Sequence, residues 1–136
     1  MHIGLIGGTG AGLFSPLGDS GCVVEQVQIQ TAFAIDPVVI TEWQAYGHRV
    51  LFIPRHGPNA QTPPHKVNYR AHIAALKQAG VEQIIALNAV GGITAAGGAP
   101  GTLTIPDQYI DYTYGREHTF YDGQQMQHCA DLGLSE

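Results

Sequence analysis

Three short apolar runs, each followed by glycine, constrain the fold of this chain more than any other feature. The runs and the loops after them are residues 2–6 before 7–12, residues 49–53 before 55–57, and residues 83–90 before 91–92. Apolar runs of this length are typical of strands buried inside a sheet. Glycine after a strand lets backbone N–H groups converge without interference from Cβ atoms. The pattern predicts a sheet that gathers several loops at its strand ends.

The remaining segments predict further strands. Residues Val23–Ile29 alternate apolar and polar side chains, which indicates a half-exposed strand. Residues Val38–Ala45 and Arg49–Ile53 flank Tyr46-Gly47-His48, which favours a hairpin with Gly47 in the turn. A last extended region is expected at 103–105 and 108–113, interrupted by Pro106.

A single stretch is clearly helical. Within Val67–Ala79 the apolar residues Tyr69, Ile73 and Leu76 share one helical face, and Gly80 supplies a stop signal. Strands, glycine loops and a helix in this order predict an α/β protein with a mixed, partly parallel central sheet. Because one helix cannot cover both faces of a five- or six-stranded sheet, the fold is expected to be incomplete.

Charge and composition exclude some classes of partner. The chain has 136 residues, a net charge of −5 and only six Lys+Arg, so neither nucleic acid nor an anionic membrane is an expected partner. No apolar run is long enough to span a bilayer and no signal peptide is recognised, which makes the cytoplasm the expected location. Cys22 and Cys129 lack metal-ligand spacing, so no metal is expected. The side chains of His65 and His72 are expected to be solvated.

An arginine at the end of a buried strand needs an anion. The guanidinium of Arg55 is a planar fork of donors suited to two oxygens of a phosphate or carboxylate, and His56 can donate a further hydrogen bond. Asn88 is a polar side chain near the end of the apolar run 83–90, so it needs a partner. Ligands of open α/β sheets bind at such carboxyl ends. The residues therefore indicate a site for a small anion or phosphate.

The glycine-rich loop at 7–12 allows two other interpretations. Its spacing fits a dinucleotide-binding loop, which would make the protein an oxidoreductase. That fold requires a helix that begins within the loop, and Pro16, Gly18 and Gly21 argue against one. The loop could also be a structural tight turn.

Four segments in order resemble one known family. They are "IGLIGGTG", "RHG…PPHKVNYRAHIAALKQAGV", "LNAVGGI" and "GTLTIPDQYIDYTYGREHTFYDG". Together they resemble the purine nucleoside phosphorylase and methylthioadenosine phosphorylase family, with most similarity to its bacterial methylthioinosine phosphorylase branch. The resemblance runs from Ile3 to about Gly123. It implies a pentosyltransferase of purine salvage in which inorganic phosphate attacks ribose C1′ and releases a purine base and a sugar 1-phosphate.

The resemblance also implies site residues and partners. Thr9, Arg55 with His56, and Asn88 with Ala89 would form the phosphate pocket. The family position of Asn88 is often threonine. Phosphate is a co-substrate and the nucleophile, so neither a catalytic side chain nor a cofactor is expected. The expected substrates are 5′-methylthioinosine or 5′-methylthioadenosine, and the expected assembly is a homo-oligomer, a trimer by resemblance.

The chain departs from the family in length. Members are much longer, and their second half carries the sugar contact and the residue that reads the base. The whole chain, 1–136, is therefore interpreted as the N-terminal, phosphate-binding part of one nucleoside phosphorylase domain, without its C-terminal half. In the family, a histidine that follows the Tyr-Asp-Gly segment belongs to the site of a neighbouring subunit. His128 could correspond to it, but the residues that flank His128 do not match the family's pattern. A non-catalytic phosphate-binding fragment is the alternative function.

Overall fold

A mixed five-stranded sheet forms the body of the protein. The computed structural model describes residues 1–8, 25–94 and 98–121. In sequence order the elements are β1 (His2–Gly7), β2 (Glu25–Ile29), β3 (Val38–Ala45), β4 (His48–Pro54), α1 (Tyr69–Gln78) and β5 (Gln83–Leu87). The strand order across the sheet is β2-β3-β4-β1-β5. Strand β1 is parallel to β4 and β5, whereas β2, β3 and β4 pair antiparallel. The predicted mixed, partly parallel sheet is confirmed.

The predicted hairpin joins β3 and β4. Ala45 pairs with His48, which leaves two residues in the turn. Both have positive φ angles, +50° at Tyr46 and +77° at Gly47, the combination that matches the twist of paired strands. This turn fixes the register of β4 and hence the position of the residues that follow it.

Helix α1 crosses from β4 to β5 and covers one face of the sheet. Its first turn is capped by the Asn68 side chain, whose Oδ1 accepts from the N–H of Ala71 at 3.0 Å. Gly80, with φ of +77°, ends it as predicted. The prediction began the helix at residue 67, but a 3₁₀ turn at Pro64–Lys66 precedes it and the cap delays its start to residue 69.

The core lies on the helix side. Alternate residues of β4 face α1, where Leu51 and Ile53 pack with Ile6, Ile40 and buried residues of the helix. Val50 and Phe52 point to the other face and pack with Trp43. The central strands are thus buried on both faces.

Strand β5 departs from the prediction of a buried strand. It is the last strand of the sheet, and Ile84 and Ile85 remain 43% and 49% exposed. Its apolar composition matches a buried strand, but among the described residues no element covers it. The expected extended region at 103–113 forms no strand, and its large apolar side chains are exposed.

No helix in the described part of the chain has the length and apolar character needed to cross a membrane.

Candidate functional site

The parallel register brings three strand ends to one point. Gly7, the last residue of β1, pairs with Pro54 on one side and with Leu87 on the other. The backbone N–H of Arg55 donates to the carbonyl of Gly7 at 2.9 Å, which extends the pairing by one residue. As expected from the sequence, the loops after β1, β4 and β5 therefore begin side by side.

Arg55 connects these loops. Its Nη1 donates to Oδ1 of Asn88 across the end of β1, and its Nε donates to Nε2 of His56 at 3.2 Å. The oxygen of the Asn88 amide must face the guanidinium, since arginine has donors only. Asn88 thus gains the partner that its place in an apolar run required.

The guanidinium lies against the glycine after β1. A Cβ atom at Gly8 would stand 2.5 Å from Nη2 and 2.9 Å from Cζ of Arg55. No side chain fits at this position while the arginine keeps its place. Gly8 is a site residue that sequence reasoning did not single out, although the glycine run was the available signal.

His56 is fixed by a short loop through two contacts with Thr62, one made by the His56 backbone and one by its ring. The His56 carbonyl accepts from the N–H of Thr62, and Nδ1 of the ring lies 2.9 Å from the Thr62 carbonyl. Because a carbonyl only accepts, Nδ1 carries the proton, and a neutral ring then has an acceptor at Nε2. The loop turns at Gly57, whose φ of +83° favours glycine. The role of Thr62 could not have been found from the sequence, because its contact is made by the backbone.

The guanidinium keeps unused donors. Arginine has five N–H groups, of which His56 and Asn88 engage two. The others lie on Nη1 and Nη2, beside the strand ends and Gly8. A half-buried, permanently charged fork held by two neighbours is suited to bind two oxygens of a tetrahedral anion.

A cavity of about 270 Å³ adjoins Arg55 on the helix side, and Thr62, Lys66 and His72 contribute to its lining. The expectation that His72 is solvated is wrong. Burial lowers its pKa to about 4, and its Nδ1 is buried with no hydrogen-bond partner. His72 is therefore neutral at pH 7 and adds no charge beside the arginine.

The structure brings together three of the five predicted site residues. Arg55 contacts both His56 and Asn88, and Ala89 follows Asn88 at the same end of the sheet. Thr9 lies outside the described residues, as do His128, Cys22 and Cys129. Within the described ranges, no group of three or more His, Cys, Asp or Glu side chains is arranged to hold a metal ion.

Comparison with known proteins identifies the class. A family model described as the phosphorylase superfamily matches residues 2–133. The chain therefore belongs to the phosphorylase superfamily.

Within this superfamily, the chain is similar to phosphorylases of 5′-methylthio nucleosides. The chain is 45% identical over 135 residues to a probable S-methyl-5′-thioinosine phosphorylase of Xylella fastidiosa, covering 98% of this chain and 54% of that protein. It is 44% identical over 130 residues to an S-methyl-5′-thioadenosine phosphorylase of Thermofilum pendens, covering 96% and 48%. The chain thus spans about half the length of the curated relatives it matches.

A solved structure shows the same fold. A point mutant of adenosine/methylthioadenosine phosphorylase from Schistosoma mansoni, in complex with adenine, superposes with a TM-score of 0.72 at 37% identity. The superposition covers 91% of this chain and 42% of that one. The likeness agrees with the predicted family and with the partial extent of the fold.

Proposed function

We propose that this chain forms the phosphate-binding half of a purine nucleoside phosphorylase. The observation that carries the proposal is the convergence of Arg55, Asn88 and Gly8 where three parallel strands end. A guanidinium fixed at this point can bind inorganic phosphate with its free N–H groups, and Thr9 and the N–H of Ala89 complete the proposed pocket.

The chemistry requires a positioned anion rather than a protein nucleophile. A phosphate oxygen attacks ribose C1′, the bond from C1′ to the purine nitrogen breaks, and the base leaves with its electron pair. Bound phosphate also stabilises the positive charge that develops on the sugar. Arg55 orients the phosphate and offsets its charge. Phosphate is the co-substrate, and no cofactor is proposed.

The proposed substrates are 5′-methylthioinosine or 5′-methylthioadenosine, in keeping with the names of the relatives. The products are the purine base and 5-methylthioribose 1-phosphate, which places the reaction in purine salvage. The proposed location is the cytoplasm and the proposed assembly a homo-oligomer, a trimer by family resemblance. The alternative is a fragment that binds phosphate without catalysis, which the exposure of Ile84 and Ile85 on strand β5 favours.

Thermal unfolding with and without phosphate tests the proposal, since the readout needs no turnover. Replacing Arg55 by alanine removes charge-assisted hydrogen bonds worth about 3 kcal/mol in total. Apparent phosphate affinity should fall by about two orders of magnitude. Arg55→Lys keeps the positive charge but loses the planar fork of donors, so its phosphate affinity should also stay well below that of the unsubstituted chain. The unsubstituted chain should gain thermal stability with phosphate, at an ionic strength matched with chloride.

Equal gains in the unsubstituted chain and Arg55→Ala would refute the site. Release of hypoxanthine or adenine from the two 5′-methylthio nucleosides, with and without phosphate, then separates the two functions. Phosphate-dependent release supports a phosphorylase. Phosphate binding without release supports the non-catalytic alternative.

A further inference from the structure

Two prolines lead from the loop that holds His56 to helix α1. Thr62, whose carbonyl fixes the His56 ring, is followed by Pro63 and Pro64. A proline ring holds φ at about −65°, and the residue before a proline is restricted to extended conformations. Pro63 accordingly has φ of −67° and ψ of 156°. The backbone between Thr62 and Pro64 is therefore stiff, so a displacement of the Pro64 carbonyl also displaces the carbonyl of Thr62.

Arg116 contacts the Pro64 carbonyl and the start of the helix together. Its Nη1 donates to that carbonyl at 3.5 Å and to the hydroxyl of Tyr69 at 3.4 Å. Its Cζ lies 4.8 Å from the centre of the Tyr69 ring, a distance at which a cation is attracted to the ring face. Because Tyr69 is the first residue of α1, Arg116 ties the Pro64–Lys66 turn to the helix.

A second set of contacts holds the segment that begins at Arg116. Glu117 forms an ion pair with Nη2 of Arg70 in the first turn of α1. The Phe120 ring lies 5.1 Å from the Phe33 ring at an angle of 75°, and Cζ of Arg70 lies 5.4 Å from the centre of the Phe33 ring. Aromatic pairs and cation–aromatic pairs at these distances are attractive. Several side chains therefore fix this segment, which gives its first residue a defined place.

We propose that Arg116 is a positioning residue for Arg55. It fixes the Pro64 carbonyl, and the two prolines pass this restraint to Thr62. The Thr62 carbonyl in turn holds His56 against Nε of Arg55. Arg116 thus acts on the candidate site through His56 and binds no phosphate itself. The inference rests on the proposed function, but its effect on the His56 ring is measurable without phosphate.

Thermal unfolding over a phosphate titration tests the inference. Arg116→Ala should weaken phosphate binding about threefold, less than the loss of about tenfold expected for direct removal of the His56 contact. Arg116→Lys keeps a cation that can reach the Tyr69 ring, so it should restore most of the affinity. Lys77→Ala is the matched control, because it removes the same charge from an exposed position in the last turn of α1. It should bind phosphate like the unsubstituted chain.

A double-mutant cycle identifies the route of the effect. Arg116→Ala should cause no further loss of phosphate affinity in a chain that already carries His56→Asn, because the contact through which it acts is gone. A role in stability alone would not produce this dependence on His56. It would either leave the affinity unchanged or add the same loss in both backgrounds.

NMR of the His56 ring gives a readout that needs no phosphate. In the unsubstituted chain the Nδ1 proton is bonded to the Thr62 carbonyl, so it should exchange slowly with water. It should exchange faster in Arg116→Ala and stay slow in Arg116→Lys and Lys77→Ala. The resonance that is missing in His56→Asn assigns the signal.

Two results would overturn the inference. They are a His56 signal that is unchanged in Arg116→Ala, and equal losses of phosphate affinity from Arg116→Ala with and without His56. An unsubstituted chain that binds no phosphate would instead refute the proposed function, and the His56 signal would then decide by itself whether Arg116 positions the ring.

Discussion

Nε of Arg55 lies 3.2 Å from Nε2 of His56, and it is the arginine that donates. The direction follows from the Thr62 carbonyl, which takes the proton of the other ring nitrogen. In this arrangement the histidine positions the guanidinium, whereas the sequence suggested a second donor to the anion. Arg55 is consequently held from two sides, by His56 and by Asn88.

The first prediction concerns this positioning role. In His56→Asn the amide nitrogen can keep the bond to Thr62, but the side chain is too short to reach Arg55. Phosphate affinity should fall about tenfold, the equivalent of one hydrogen bond. Thermal stability without phosphate should change little. Thermal unfolding over a phosphate titration measures both quantities. Unchanged affinity would show that Arg55 is positioned without His56.

Gly8 should matter for binding more than for folding. In Gly8→Ala the new methyl group would stand 2.5 Å from Nη2 of Arg55, so the flexible end of the arginine must move. We expect a loss of phosphate affinity of about tenfold or more and a stability change below about 1 kcal/mol. The matched control is Gly91→Ala at the same sheet edge, where a Cβ meets nothing within 4 Å. A similar effect in both variants would argue against the proposed contact.

The buried histidine of α1 should make stability fall in mild acid. Burial lowers the pKa of His72 from 6.5 to about 4, so between these values the unfolded chain binds a proton that the folded chain does not. Stability must therefore decrease as pH falls from 6.5 to 4, by up to about 3 kcal/mol from this group. Urea unfolding at pH 7 and pH 4.5 measures the decrease.

Two variants isolate the contribution of this histidine. His72→Gln should show a smaller decrease than the unsubstituted chain, because glutamine does not titrate. His65→Gln should behave like the unsubstituted chain, since His65 is exposed. An identical pH dependence in all three proteins would mean that His72 titrates normally.

An ion pair should stabilise the junction of sheet and helix. Arg49 binds Glu42 through Nε at 2.5 Å and Nη2 at 2.6 Å, and its Nη1 donates to the Ala79 carbonyl at the end of α1. These hydrogen bonds lower the pKa of Glu42. Glu42→Gln should cost about 1 kcal/mol at pH 7.

The cost should depend on pH in a defined direction. A carboxyl with a lowered pKa stabilises the fold above its ordinary pKa of 4.5 and loses that effect as pH falls through the lowered value. The gap between the unsubstituted chain and Glu42→Gln in urea unfolding should therefore close in strong acid. Asp107→Asn, at an exposed position outside the sheet, should leave stability at pH 7 unchanged.

The sequence alone predicted most of the elements of the sheet and the helix, and it indicated a small anion or phosphate as the ligand. Apolar runs, the Tyr46-Gly47 turn and the helical face with its Gly80 stop are local patterns, and local backbone preferences decide them. An arginine directly after a buried strand indicates an anionic partner, and this inference does not require knowing where the strand lies in the sheet. The family resemblance implies that this anion is inorganic phosphate, which one arginine could not indicate by itself.

Only the tertiary structure decided which groups meet. The pairing of Gly7 with both Pro54 and Leu87 joins residues far apart in the chain, and it alone brings Arg55 to Asn88 and leaves room only for glycine at residue 8. The burial of His72 and the exposure of β5 also depend on how segments far apart in the chain pack together. The composition of a segment shows how apolar it is, but burial depends on which other segments cover it, and that is a property of the whole fold.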